Sequence, residues 1–521
     1  MTVQSESVQK KFSLDTPVSA LFSLNWELVL YGVILALAIA TRLYDLGARV
    51  MSHDESLHTL YSWNLYAGKG YQHDPLMHGP FLFHITALMY FLFGDNDFTA
   101  RLGAALLGSV LVVLPYWFRP WLGRLGALAA SFMILISPGM LYYSRYIRHD
   151  IFVSVWTVLM VLAFFQFMRT RGVRWLYVGA IAVGLMQSTK EISYIHGFIG
   201  VTFIGAAWLW EVLPTARRRV LNYALLAVSV VLLALAFYGA AQPAQVVPEG
   251  QEAGFYLWDH VDLMVMIAGL ALGWLVIQLA VDREQQPVLG FIRSLPAHWS
   301  DIAKAALAAI IIFVLLHTTF FTNIGGLYTG TIGEVAYWLE QHGVQRGGQP
   351  WYYYLFLVPM YEFLPIFVGG IGALVYIIRR KFPAHAADPL PVEPQAAETP
   401  AKRSRKHQAE TTPSQFAGGL WPSDGGTFAA FVIYWAFIAF VIYSWAGEKM
   451  PWLTIHMTLP AIFVAGHVIQ TVLGNFNWQA ARKNGGLLLG GALLLMPAAL
   501  LAIITADPFR SQSLQAMNDT S

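Results

Sequence analysis

The chain has 521 residues, 57% of them hydrophobic and 12% charged, with a net charge of +2. A soluble globule carries about a quarter charged residues, so the composition excludes an ordinary soluble domain and points to a polytopic membrane protein; the net charge says nothing of partners, and no nucleic acid is expected among them. The absence of cysteine removes disulfides, thiol catalysis and Cys-ligated metal together.

The N-terminal tail (1–26) is polar and is expected in the cytoplasm, and the apolar segment after it is long enough to remain as a span rather than be cleaved. Apolar runs of about 18–20 residues cross a hydrocarbon core of about 30 Å. On that criterion thirteen spans are expected, at 27–46, 98–118, 124–142, 151–168, 174–190, 193–213, 220–240, 261–281, 303–321, 354–378, 426–445, 454–474 and 485–505. The stretch "GPFLFHITALMYFLFG" (79–94) is left out of the count. It is too short to cross comfortably and is expected to lie along the interface. The distribution of charge supports this: with the N-terminus inside, 22 of the 32 Lys and Arg fall on the inner side. Counting 79–94 as a span would swap every later loop and reverse the bias.

The chain then divides into a transmembrane module, 27–215, that contains a long first outer loop (47–97), and a second module, 216–378. A loop rich in Pro, Ala and charge follows (379–425), expected to be disordered and cytoplasmic. The C-terminal helices (426–506) and an outer tail (507–521) complete it.

With this topology the unusual residues collect on the outer side. "HDES" (53–56) and "HDPLMHGP" (73–80) lie in the first outer loop, "SRYIRHD" (144–150) in the second and "STKEIS" (188–193) in the third. "HGVQRGGQPWYYY" (342–354) and "AGEKMPWL" (446–453) follow. Ionisable groups near the bilayer are costly and usually functional, so an outward-facing catalytic or binding cleft is expected.

Asp54 and Glu55 are adjacent carboxylates, which splay apart on a helix: one can face a cleft while the other orients a neighbour. Burial or a close cation would shift either pKa, and such a carboxylate serves as general base to a hydroxyl. The plainer role is to cap the helix that follows. Asp150 opens the fourth span, where it also suits the helix dipole, and Arg145 and Arg148 either pair with it or bind an anion. Lys190 and Glu191 stand at the outer end of the fifth span as an anion site or a local ion pair. Lys449, held in a turn between Gly447 and Pro451, is placed for a phosphate or snorkels to the interface. His53, His58, His73 and His78 admit a carboxylate–histidine site for a divalent ion, although no pair of them has ligand spacing on a helix. Tyr61, Trp63, Tyr66, Tyr71 and the Trp351–Tyr353 run form either sugar-stacking walls or an interfacial belt.

Taken in order, the acidic pair after the first span, "HDPLMHGPFLFH", "GDNDFTARLGAALLGSVLVVLPY" and "SPGMLYYSRYIRHD" resemble the GT-C superfamily of membrane glycosyltransferases. Within it they are most similar to the protein mannosyltransferases and the lipid A aminoarabinose transferases. "TKEISYI", "QPWYYYLFLVPMYEFLP" and "EKMPWLTIHMTLP" resemble signatures of the prokaryotic flippase activity-associated proteins.

The resemblance implies an all-α bundle with in-plane helices in the first outer loop and an extracytoplasmic active site in a prokaryotic plasma membrane. It also implies transfer, with inversion, of a sugar from a polyprenyl-phosphate donor to a glycan, lipid or protein hydroxyl. By position it makes Asp54 the catalytic carboxylate, Glu55 its neighbour and Asp150 the second-loop acid. Arg145, Arg148, Lys190 and Lys449 become candidates for the donor phosphate. His53, His73, His78, Glu191, His342, Arg346, Trp351 and Glu448 become candidates for substrate contact. No cofactor is required, though a divalent metal is admitted. The chain has "HDPL" where the aminoarabinose group has Pro-Pro, and it lacks the inserted soluble domain of the mannosyltransferases. A lipid-linked-sugar flippase or a non-catalytic polyprenyl-phosphate-binding subunit is the competing reading.

Overall fold

The computed structural model describes residues 25–240, 261–281, 286–344, 349–379 and 423–474. Among the described residues there is no strand, as the apolar runs require. Residues 472–521 separate from the rest as a second compact unit, of which only 472–474 are described.

The first helix, α1 (Trp26–Leu43), starts where Asn25 accepts from the Leu28 amide, a side-chain cap for an otherwise unpaired donor. The first outer loop then builds two further helices. α2 (His53–Tyr66) opens on a capping box in which the Ser52 and Glu55 side chains each take the other's backbone amide. α3 (Phe81–Phe93) is the stretch left out of the span count: at 13 residues and about 1.5 Å per residue it falls short of the hydrocarbon core.

From α4 (Asp97–Val113) to α5 (Arg119–Ile136) the chain is apolar over 40 residues, about 60 Å if straight, twice what a crossing needs. Its contacts show that it doubles back. Arg101 donates to the Leu46 carbonyl at one end of α1 (3.0 Å), whereas Tyr116 packs on Tyr31 and Arg119 pairs with Glu27 at the other end. Arg42 then reaches the Ile134 carbonyl (3.4 Å), back at the first end. The reversal is made around Gly123, at φ 70° inside α5, a conformation open to glycine. Two expected spans, 98–118 and 124–142, correspond to these two arms.

Beyond them come α6 (Pro138–Tyr143), α7 (Asp150–Thr170), α8 (Val173–Gln187), α9 (Ser193–Val212) and α10 (Thr215–Ala240). α11 (Val261–Ala280), α12 (Pro287–Ser294), α13 (Trp299–His317) and α14 (Glu334–Val344) follow. The described chain ends with α15 (Tyr353–Tyr361), α16 (Phe363–Arg379), α17 (Ser423–Trp445) and α18 (Thr454–Gly474). α7, α17 and α18 are apolar on every face and mostly buried, while α10 and α13 are mostly exposed. A helix apolar all round belongs in a core or in lipid, and both cases occur here. Between them an aromatic seam interlocks: Trp121 stacks on Phe428 at 5.6 Å and Phe118 meets Phe463 edge-on at 4.8 Å.

With the doubled-back 97–136 stretch counted once, the described residues hold eight helices long and apolar enough to cross a bilayer, or nine with one bent pair, so this is an integral membrane protein. The expected thirteen is not met among them. α8 and the apolar part of α11 are short, and the expected span 485–505 lies outside the described residues. The expected continuous span 354–378 is broken: α15 and α16 bend by 111° at Glu362. There Pro359 deprives the helix of a donor, and Glu362 turns away to accept from the Ser137 hydroxyl (2.7 Å) and the Gly139 amide (2.8 Å).

The loop before α3 is seated on the end of α8. Gly79 donates to the Thr189 carbonyl (3.1 Å) and Phe81 to the Ser188 carbonyl (2.8 Å). A Cβ on Gly79 would lie 2.4 Å from the Ser188 oxygen, a backbone atom that cannot swing aside. Gly79→Ala is therefore expected to lower the unfolding free energy by about 2 kcal/mol. Gly197→Ala, where nothing lies within 4 Å, should be neutral or mildly stabilising. Thermal melting of the two purified variants decides it; equal melting temperatures would show that this seat is not fixed.

Candidate active site

The first turn of α2 sends its two carboxylates different ways, since neighbours on a helix are about 100° apart. Glu55 points inward and is fully buried. It accepts from Arg101 through both oxygens (2.9 and 3.2 Å), from Arg49 (2.8 Å) and from the backbone amides of Ser52 (3.2 Å) and Ile147 (3.3 Å). Burial pushes its carboxyl up, but Arg101, Ser52 and Arg49 outweigh that and hold it below the usual range. Arg101, itself buried, also donates to the Leu46 and Arg49 carbonyls. Glu55 therefore clamps the outer end of α1, α4 and the 144–150 turn together.

Asp54 stays at the rim, 37% exposed, with Oδ2 receiving Arg148 at 2.5 Å. Arg148 reaches on to Asp150 (Nε to Oδ2, 3.4 Å), and its guanidinium lies 3.3 Å from the Trp452 ring centre. Asp150 is fully buried. Its Oδ1 takes the Lys190 ammonium at 2.9 Å and lies 3.1 Å from His456 Nε2. Acid and base thus alternate, Asp54–Arg148–Asp150–Lys190, from the rim inward. Beside this line His78 Nδ1 meets Glu191 at 2.9 Å. Burial pushes the Glu191 carboxyl up, but His78 and Lys190 bring it below its ordinary value.

Behind Asp54 lie two buried imidazoles. His58 Nδ1 donates to the Asp54 carbonyl (2.5 Å) and His149 Nε2 to the Gly79 carbonyl (3.2 Å). Burial drives His58 down to about 4 and His149 well below its usual value, so both are neutral at pH 7.

A cleft opens on the line's inner end, walled by Lys190, Glu191, Trp338, Tyr443, Glu448 and Trp452. A second, apolar groove of about 700 Å³ runs along α17, α18 and the α15–α16 bend, past Trp351, Leu355, Phe437 and Phe440 to Ser444. Tyr443 on the cleft and Ser444 on the groove are consecutive residues near the end of α17.

Of the residues expected from sequence, Asp54, Arg148, Asp150, Lys190, Glu191, His78 and Glu448 converge here. Arg145 does not: it donates to the Thr41, Tyr44 and Asp45 carbonyls and closes the end of α1. Lys449 is buried and donates to the Ala446 carbonyl (2.8 Å), closing its own turn. His53 is exposed at the start of α2, Trp351 lines the apolar groove and His73 faces Glu334. The His342 side chain and Arg346 lie outside the described residues. Sequence reasoning missed Arg101, Trp452, His456 and His149. Trp452 and His456 both lie in the quoted "EKMPWLTIHMTLP", four residues apart, and that spacing was the available signal.

Residues 50–246 match the family model described as dolichyl-phosphate-mannose-protein mannosyltransferase; the stretch includes Asp54, Arg148, Asp150 and Lys190. No curated protein matches the chain. Among solved structures it is similar to ArnT from Cupriavidus metallidurans bound to undecaprenyl phosphate, at 14% identity and TM-score 0.48, over 92% of this chain and 65% of that one. It is also similar to the apo state of ArnT (15%, 0.47, 92% and 65%). A third similar structure is the Archaeoglobus fulgidus oligosaccharyltransferase in complex with Zn and sulfate (15%, 0.42, 89% and 51%). The chain spans 65% of the length of the ArnT structures it matches.

Two outcomes follow from the buried groups. Glu55→Gln leaves the Arg101 charge buried without its counter-ion and is expected to cost about 3–5 kcal/mol of stability; a melting temperature within a degree of wild type would refute the clamp. His58 binds its proton more weakly folded than unfolded. Stability is thus complete above the ordinary histidine value of about 6.5 and is lost as pH falls toward about 4. From pH 7 to 5 this amounts to about 2 kcal/mol, and His58→Gln should remove that part of the decline in melting temperature.

Proposed function

We propose that the chain is a GT-C-type membrane glycosyltransferase that moves a sugar from a polyprenyl-phosphate donor to a hydroxyl of a glycan, lipid or protein. The observation that carries the proposal is the alternating line Asp54–Arg148–Asp150–Lys190, which puts a solvent-reachable carboxylate at one end and a buried cation at the other. The family model over residues 50–246 names a polyprenyl-type donor and a protein acceptor, and it supports the donor class for this chain.

In this reading the acceptor oxygen bonds to the anomeric carbon from the side opposite the phosphate, and the carbon–oxygen bond to phosphate breaks. Inversion is the consequence. Asp54 receives the acceptor's proton as the oxygen attacks, a step worth about 10²–10⁴ in rate. Lys190 and Arg148 receive the phosphate as its charge grows, and fixed charges aimed at developing charge are typically the largest catalytic contribution. The cleft beside Lys190 takes the sugar phosphate, with Trp452 and Trp338 as stacking walls. The apolar groove that reaches Ser444 takes the prenyl chain, so the charged and greasy ends of an amphipathic donor each have a surface of their own kind. The site faces the extracytoplasmic side of a prokaryotic plasma membrane and the N-terminus faces the cytoplasm; the inner-side excess of Lys and Arg supports that orientation.

The test is transfer from a polyprenyl-phosphate sugar by the purified protein in nanodiscs. Asp54→Asn should lower turnover at least about 100-fold with donor binding retained, and Lys190→Ala should weaken donor binding. Unchanged transfer in Asp54→Asn would remove the catalytic role of Asp54, and donor binding without transfer by the wild-type protein would leave a polyprenyl-phosphate-binding subunit.

A further inference from the structure

Away from the ionic line, His73, His317 and Glu334 bring one ligand atom each within 4.8 Å of one another, all three buried. His73 precedes the short Pro75–Met77 turn of the first outer loop, His317 ends α13 and Glu334 begins α14. Glu334 Oε1 is 3.4 Å from His73 Nε2 and 3.7 Å from His317 Nε2. None of these three atoms has a hydrogen-bond partner, and buried polar atoms rarely go without one.

The surroundings of His317 fix which of its nitrogens carries a proton. His317 Nδ1 lies 3.0 Å from the Phe313 carbonyl. A carbonyl only accepts, so Nδ1 carries the hydrogen and Nε2 of the neutral ring presents a lone pair. His73 Nδ1 lies 2.8 Å from the Thr329 hydroxyl, whose other acceptors are the Gly325 and Gly326 carbonyls at 3.5 and 3.4 Å; with the hydroxyl hydrogen turned to those carbonyls it accepts from Nδ1, and His73 Nε2 presents a lone pair as well. The other carboxylate oxygen, Oε2, accepts from Gln187 (3.3 Å). In that tautomer two lone pairs and a carboxylate oxygen face one another among buried side chains, an arrangement that repels itself unless a cation sits between them.

We infer that His73, His317 and Glu334 form a binding site for a borderline divalent transition metal of the zinc class. Two imidazoles and one carboxylate suit zinc, cobalt or ferrous iron, whereas magnesium and calcium prefer oxygen ligands throughout. Nitrogen and oxygen ligands at about 2.0–2.1 Å in a tetrahedron stand about 3.3–3.4 Å apart, close to the two separations above. Each ligand's remaining polar atom is held by a protein group, as outer-shell partners of metal sites are. The chain also makes room: a Cβ on Gly330 would come within 2.1 Å of the His317 ring. The fourth position is left for water. The ion ties the first outer loop to α13 and α14, and α14 carries Trp338 to the cleft wall one turn beyond Glu334. The site stands on its own contacts and does not depend on the proposed transfer reaction.

The test uses the full chain in nanodiscs, stripped with chelator and titrated with Zn²⁺ or Co²⁺. One equivalent is expected to bind, with the visible d–d bands of four-coordinate cobalt and two-imidazole scattering in the X-ray absorption spectrum of the zinc form. Zn²⁺ should raise the wild-type melting temperature. Glu334→Gln and His317→Gln should each weaken binding at least about tenfold and abolish the thermal response. If those variants do not fold, the wild-type spectra decide alone. No saturable cobalt band, a metal without imidazole ligands, or undiminished binding in a folded Glu334→Gln protein overturns the site, and the three side chains are then a protonated histidine–carboxylate network.

Discussion

The Glu55–Arg101 pair sets the geometry of the face that carries the ionic line. Burying an ion pair costs several kcal/mol per ion before any attraction is counted. Here the cost is offset by completeness: four groups donate to the carboxylate, and the guanidinium finds two carbonyls besides. Such a set closes only in one arrangement. Because Glu55 must face Arg101, α2 cannot rotate, and Asp54, one residue earlier, is turned toward Arg148. The Ile147 amide on Glu55 fixes the 144–150 turn from the other side, so both partners of the Asp54–Arg148 contact are placed by the same buried carboxylate.

From that anchor the charges alternate inward, and alternation answers the problem of keeping cations in a poorly solvated place. Lys190 is tolerated where it is because Asp150 meets it, and Asp150 because Lys190, Arg148 and His456 all approach it. The same balance suits a phosphate that must bind and then leave. Cations shared with resident acids attract an anion less strongly than bare ones, and they recover their partners when it goes. The proposed donor's lipid end is a separate matter of area: the groove along α17 and α18 is almost wholly apolar and reaches Ser444, one residue from Tyr443 of the charged cleft.

Much of this was legible in the sequence, because sidedness is a one-dimensional property. The lengths of apolar runs and the distribution of Lys and Arg placed "HDES", "SRYIRHD" and "STKEIS" at one rim, and their residues do meet there. What a linear reading lacks is azimuth. Arg145 and Arg148 are three apart in an irregular turn, and nothing in their spacing says that one closes α1 while the other bridges two acids. Lys449 likewise reads as an available cation until its turn is seen to fold the ammonium onto Ala446. The expected continuous span 354–378 differs for a related reason: apolar length cannot show that the chain breaks at Glu362, where a distant Ser137 takes the acid out of the helix.

The histidines show why long-range contacts decide chemistry that residue type leaves open. His58, His78 and His149 cluster with ring centres 5.1 and 5.2 Å apart, close enough on proximity alone to suggest ligands. Only His78 among them faces an acid, Glu191, through its Nδ1. The spare nitrogens of His58 and His149 have no carboxylate opposite, so burial leaves both rings neutral and they pack on Phe83 and on each other. His73 looked no different in the same loop. What distinguishes it is a helix end more than 240 residues away in sequence and an acid at the start of the next helix, which together set three unsatisfied ligand atoms around one point. Histidine density marked the loop, but the position of a single carboxylate decides which of its imidazoles can hold a metal.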